Sequence, residues 1–151
     1  MHSKKYIFGL IICVLLTNSC KKHDNPVPVT SLTYTIYNIE SDPRYESLRT
    51  PDGSAILECG TLCAGYNCNG VIIYRQKNAG SVDDFRAFDR TCTHEANSCA
   101  MEIDKNWPFI LKCPCCGSEF NMNGGYMEKG PAEYPLREFN CDFYNGDLRI
   151  Y

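Results

Sequence analysis

Cys113-Pro114-Cys115-Cys116-Gly117-Ser118-Glu119-Phe120, read with the earlier Cys92-Thr93-His94, decides how the rest of this chain is understood. Thiolate and imidazole are donors that soft and borderline transition metals prefer. Here they come in two short bursts separated by about eighteen residues. Each burst follows a β-favouring run: Phe85-Arg86-Ala87-Phe88-Asp89 leads into the first, and Phe109-Ile110-Leu111 into the second. Two loops that each leave a strand and converge can present one ligand set from two sides. A Cys-x-His alone is a weak signal; its pairing with the second stretch makes it strong.

Outward from these loops the pattern stays β. Leu32 to Tyr37 alternates in the strand period, and Val71-Ile72-Ile73-Tyr74 is the apolar run of a buried strand. Ser41 to Ser54, with Pro43, Pro51 and Gly53, reads as a loop, and Asn78-Ala79-Gly80-Ser81 as a turn. Phe120, Asn123-Gly124-Gly125 and Tyr126-Met127 predict a hairpin. Leu136 to Phe143 and Leu148 to Tyr151, joined at Asn145-Gly146, close the domain as a strand pair. No stretch holds a helical period, although Ala96 to Ile103 has room for one turn, and there is no internal repeat. Asp83-Asp84 reads as a solvated turn, and Trp107 as packing or as lining a surface near the metal loops.

The chain has 151 residues and a net charge of −3, enough for one domain and an export segment. It has no basic stripe, which argues against a nucleic-acid partner. Lys4 and Lys5 precede an apolar stretch from Tyr6 to Leu16. That is too short for a bilayer span of about 20 residues and fits a secretory h-region. Leu16-Thr17-Asn18-Ser19-Cys20 resembles a lipoprotein cleavage box, although its leucine sits one place further from the cysteine than usual. Residues 1–19 are therefore expected to be a signal peptide. Residues 20–31 would be a lipidated Cys20 with a flexible tether, and residues 32–151 the folded domain. Ordinary signal cleavage, leaving Cys20 a free thiol, is the alternative. The polar Lys21 to Thr30, with Pro26 and Pro28, reads as a tether without a fold.

Eleven cysteines in a short exported chain imply bridges. Setting aside Cys13, in the signal, and Cys20 leaves nine, an odd number. If Cys92, Cys113 and Cys116 bind metal, the remaining cysteines suffice for three disulfides. Zinc would satisfy the same count. Cys59, Cys63, Cys68 and Cys141 are expected to form two of those disulfides, with three connectivities open.

The order, spacing and flanks of the two loops resemble those of Rieske iron–sulfur proteins, whose second loop reads Cys-Pro-x-His. Gly125 to Arg137, ending in Gly130-Pro131-Ala132 and Pro135-Leu136, resembles the family's third loop, which covers the cluster. The similarity spans about Phe85 to Tyr151. It implies an all-β fold: a Rieske-like antiparallel β-sandwich with a small inserted cluster-binding subdomain at about residues 89–135. It implies a [2Fe–2S] cluster with Cys92 and Cys113 on the inner iron and His94 on the outer one. Ser118 would donate to a bridging sulfide, Gly130 and Pro131 would cover the cluster, and Cys99 and Cys115 would be bridged. Phe120 stands where high-potential members often have a tyrosine, which points to a lower potential.

Cys116 occupies the place of the outer iron's second histidine, so the expected ligand set is three thiolates and one imidazole. The extra negative charge stabilises the oxidised cluster. Rieske centres span about −150 to +300 mV and plant-type ferredoxins lie near −400 mV, so a value low in the Rieske range follows. The expected function is one-electron transfer to or from an unknown redox protein, by a carrier lipid-anchored to a bacterial membrane at its periplasmic face or at the cell surface. His94 is the only histidine in the folded part, since His2 and His23 precede it, so no mononuclear iron triad can be assembled and turnover by this chain alone is not expected. The competing readings are a cluster-free, disulfide-stapled module and a zinc site of the Cys3His type.

Overall fold

The computed structural model describes residues 24–58, 63–96 and 99–151. The signal, Cys20 and Cys59 lie outside them. Among the described residues, eleven strands, β1 (Tyr34–Ile36), β2 (Ser54–Leu57), β3 (Val71–Arg75), β4 (Phe85–Asp89), β5 (Glu102–Ile103), β6 (Ile110–Lys112), β7 (Glu119–Asn121), β8 (Tyr126–Lys129), β9 (Glu138–Phe139), β10 (Cys141–Tyr144) and β11 (Asp147–Ile150), form three antiparallel sheets. Their orders are β1-β11-β10, β2-β3-β4-β9 and β5-β6-β7-β8. The third sheet is threaded between β4 and β9, so the fold is a β-sandwich with an inserted subdomain.

The central strands explain how the two halves are joined. Strand side chains alternate between faces. In β3, Val71 and Ile73 enter one apolar core with Ile36, Leu48, Phe143 and Leu148, while Ile72 and Tyr74 enter a second. β4 does the same: Phe85 and Ala87 face the first core and Phe88 the second. The middle sheet is therefore a shared wall, buried on both sides, which is why Val71-Ile72-Ile73-Tyr74 reads as continuously apolar. The second core continues through Met101, Leu111, Phe120 and Met122 to Cys92, Cys99 and Cys113. The cysteine loops thus stand on a packed floor.

Several expectations are corrected. Ser41 to Ser54 is not merely a loop. Pro43–Arg49 forms a 3₁₀ turn capped by the Asp42 carboxylate, which accepts from Arg44 N–H, and it buries Tyr45 and Leu48 in the first core. Asp83 is exposed but Asp84 is buried, accepting from Ala79 N–H, Gly80 N–H and Ser81 Oγ–H. It lies 3.8 Å from the buried Arg75, whose guanidinium also pairs with Glu40 at 2.9 Å and donates to Leu48 O. The segment read as a free tether is docked at Val27, which is fully buried. Trp107 is exposed in the turn before β6, at the opposite end of that strand from Cys113, and packs edge-on against Phe109. Of its two expected roles, packing is the one the structure shows.

The cysteine arithmetic is also corrected. Cys63 bonds to Cys68, but Cys141 is a free thiol, so Cys59, Cys63, Cys68 and Cys141 do not make two bridges. Parity assumed that every non-ligand thiol pairs. Burial instead leaves Cys141 protonated, its thiol pushed up to about 12, with Glu138 and Asp142 adding to the shift. Among the described residues no helix is long and apolar enough to cross a membrane.

Candidate metal centre

The first loop leaves β4 through Arg90 and Thr91. Thr91 bridges Ala100, Met101 N–H donates to Arg90 O at 2.7 Å, and Cys92 N–H donates to Cys99 O at 3.0 Å. The loop is closed at its neck, and its first cysteine is held by backbone bonds rather than by packing alone. The second loop is a tight return from β6 to β7. Cys113 N–H donates to Ser118 O at 2.8 Å and Gly117 N–H to Cys113 O at 2.9 Å. Gly117 turns the chain with φ +73° into open space, so glycine is needed there for its conformation and not for room. A disulfide between Cys99 and Cys115, with a Cα separation of 6.3 Å, ties the two loops together as the family resemblance implied.

This closure brings Cys92, Cys113 and Cys116 together: their three sulfurs lie within 4.8 Å of one another. Cys92 Sγ and Cys116 Sγ are 3.7 Å apart. Tetrahedral metal–thiolate bonds of about 2.3 Å put two sulfurs on one ion about 3.8 Å apart, so Cys92 and Cys116 are spaced as ligands of a single ion. Cys92 and Cys113 are buried and Cys116 is half-buried. His94 stands outside this mutually close group, 42% exposed, with Nε2 3.8 Å from Glu95 Oε1. The donors fit an iron–sulfur cluster in kind: thiolates on a dry floor and an imidazole two residues along the same loop.

Burial, reinforced by the neighbouring Cys113, pushes the Cys92 thiol up to about 12, while the N–H groups of Glu95 and His94 pull the other way. Burial also pushes Cys116 upward, but there the Ser118 hydroxyl and N–H, with the two neighbouring cysteines, outweigh it and lower the pKa. Cys116 therefore gives up its proton more readily than Cys92.

The third loop closes over this arrangement. Gly130, at φ +103°, approaches so closely that a Cβ would lie 2.5 Å from Ser118 Cα and 2.7 Å from Ser118 Oγ. Ala132 N–H donates to the buried Ser118 Oγ at 3.1 Å, and Ser118 Oγ is 3.1 Å from Cys116 Sγ. Thr93, between the two candidate ligands of the first loop, donates its Oγ1–H to Tyr134 O at 2.8 Å. The sequence motifs contain Thr93 and Ala132 but give neither a role of its own. A threonine between two ligands is a faint signal, and a backbone N–H gives none.

An antiparallel β protein whose inserted subdomain offers clustered cysteines from two bridged loops, under a third, is a metal-binding β protein. The chain belongs to the Rieske [2Fe–2S] domain family, whose family model matches residues 58–140. A cytochrome b6-f complex iron–sulfur subunit from Gloeobacter violaceus is 33% identical over 84 residues, covering 56% of this chain and 41% of that protein. The chain thus matches less than half the length of this curated relative. Among solved structures, the plasma membrane Rieske protein of the cyanobacterium Synechocystis PCC 6803 has 24% identity and a TM-score of 0.48, covering 65% of this chain and 85% of that one. The Sphingomonas yanoikuyae B1 ferredoxin has 16% identity and a TM-score of 0.43, covering 69% and 91%. Membership in this family implies a [2Fe–2S] cluster as the cofactor.

Proposed function

We propose that Cys92, Cys113, Cys116 and His94 hold this cluster, and that the protein shuttles single electrons between redox partners outside the cytosol. When bound, the cluster supplies a one-electron couple. Cys92 and Cys113 form the inner pair, because both are buried on the apolar floor. Cys116 and the exposed His94 form the outer pair. The Cys116 thiolate adds a negative charge that holds the potential low, and the His94 ring stands open to water. Ser118, Gly130 and Pro131 line the cover: Ser118 Oγ offers its hydroxyl next to Cys116, and Gly130 lets the third loop reach it.

The observation that carries this reading is the pair of buried thiols, Cys92 and Cys113, one on each of two loops bridged by Cys99–Cys115. The curated relative is a subunit of a cytochrome b6-f complex, which supports a carrier that works with a redox protein. We read residues 1–19 as a signal and Cys20 as the lipid attachment site, placing the carrier on the periplasmic face or the outer surface of a bacterial membrane.

The convergence of Cys92, Cys113 and Cys116 favours a second reading. Three sulfurs within 4.8 Å suit one tetrahedral ion, and zinc with a Cys3His set would make the protein a structural or binding module. The Cys20→Ser protein without its signal, purified anaerobically, separates the two. About two irons per chain, visible absorption bands and a rhombic EPR signal on reduction support electron transfer. One zinc per chain in a colourless protein, with no iron uptake on reconstitution, rejects it.

A further inference from the structure

The N-terminal approach to the domain carries contacts that a free tether would not need. Val27 is fully buried, and its carbonyl accepts two bonds from the Arg137 guanidinium, from Nε at 3.0 Å and Nη2 at 2.8 Å. Asn25 Nδ2 donates to Pro135 O at 2.9 Å, and Asn25 Oδ1 accepts from Val27 N–H at 3.0 Å. Pro26 and Pro28 flank Val27, and proline fixes φ, so this stretch is stiff before it docks.

What it docks on is the third loop. Pro135 and Arg137 are the points where that loop returns to the sandwich: Leu136 N–H donates to Gly125 O, and Arg137 O accepts from Asp89 N–H. On the other side the loop holds the metal loops through Thr93 to Tyr134 O and Ala132 N–H to Ser118 Oγ. A continuous chain of contacts runs from Asn25 through Pro135 and Ala132 to Ser118 and Cys116.

We propose that Asn25–Val27 is a positioning strap that keeps the third loop seated on Ser118 and thereby tunes the cluster beside it. The part concerning the cluster rests on the ligand reading above; the seating of the loop does not. A seated loop keeps water from the cluster. Loosening it admits solvent, which favours the more negative reduced state and raises the potential.

The test uses the signal-free Cys20→Ser protein with Asn25→Ala, Val27→Asp and, as a conservative control, Val27→Ile. Hydrogen exchange followed by mass spectrometry reads the 130–137 peptide, and voltammetry reads the potential. The expected result is exchange faster by about tenfold in that peptide for Asn25→Ala and Val27→Asp, with β3 unchanged. It includes a higher potential for both variants, and wild-type behaviour for Val27→Ile. Asn25 is only partly buried, so that variant is expected to fold even where Val27→Asp does not. Wild-type exchange in Asn25→Ala would overturn the strap. Faster exchange with an unchanged potential would overturn its action on the cluster. A wild-type protein that takes up no cluster would reject the ligand reading, leaving the exchange result to decide the strap.

Discussion

Ser118 Oγ stands 3.1 Å from Cys116 Sγ and, on its other side, accepts the Ala132 N–H at 3.1 Å, so one buried hydroxyl joins a candidate ligand to the third loop. A hydrogen bond to a thiolate stabilises the reduced, more negative centre more than the oxidised one. Ser118→Ala is expected to lower the reduction potential on the order of 50 mV, taking a differential of about 1.4 kcal/mol, or 59 mV for one electron. Protein-film voltammetry of the two proteins measures it; an equal or higher potential in the variant would remove Ser118 from this role.

Gly130 is predicted to be irreplaceable for the cover. Alanine there meets both a positive φ and a Ser118 Cα that would be 2.5 Å from its Cβ. Gly130→Ala is expected to cost roughly 2–3 kcal/mol, the sum of a left-handed penalty and a displaced loop. Cluster loss to a chelator is expected to accelerate. Thermal unfolding and iron release, measured side by side, check the two effects; wild-type values in both would mean that the loop tolerates the displacement.

The Cys99–Cys115 bridge closes a loop with a sequence separation of 16. In the chain-entropy account a loop of this size contributes about 3 kcal/mol. The paired substitution Cys99→Ser with Cys115→Ser is expected to lower stability by about that amount in urea. It is also expected to let the loops part, with loss of iron at moderate denaturant. A midpoint unchanged from the wild type would show that the backbone bonds at the loop necks suffice.

Asp84 makes the sandwich acid-sensitive. Burial pushes its carboxyl upward, but the N–H groups of Gly80 and Ala79 and the Ser81 side chain outweigh that and lower the pKa below 3.8. A group whose folded pKa is depressed contributes stability that is present above its unfolded pKa and is lost as pH falls through the folded value. Stability is therefore expected to fall as pH drops below about 4. Asp84→Asn should flatten that fall and cost about 2 kcal/mol at pH 7, because Arg75 keeps Glu40 and Leu48 O as partners. Urea unfolding at pH 7 and pH 3 compares the slopes; parallel pH dependences would exclude Asp84 as the origin.

Local signals made most of the strands legible. Val71 to Tyr74, Phe85 to Asp89 and the hairpin at Asn123-Gly124-Gly125 announce themselves by period, apolarity and turn residues. Less legible was whatever depended on distant partners. Leu136 to Phe143 reads as one strand but divides between two sheets: β9, two residues long, is taken by Ala87 and Phe88 of β4, while β10 pairs with β11. Asp84 looks like its exposed neighbour Asp83 until Arg75 is seen beside it. Val27 lies in a polar, proline-bearing stretch, and only the Arg137 guanidinium on its carbonyl shows that the stretch is fixed.

The site divides in the same way. The motif spacing placed Cys92, Cys113 and Cys116 on converging loops, and the structure brings their sulfurs together. His94 was assigned by its place in Cys-x-His, and its exposed ring stands outside that close group. Pairing by parity failed at Cys141 because a half-buried cysteine can remain a free thiol.

Mixed ligation by three thiolates and one imidazole is the central claim, and pulsed EPR hyperfine spectroscopy of the reduced, signal-free Cys20→Ser protein tests it most directly. One strongly coupled imidazole nitrogen, lost in His94→Cys while the cluster signal persists, is the predicted result. A cluster signal with no coupled nitrogen, or a protein that binds no iron at all, would contradict it.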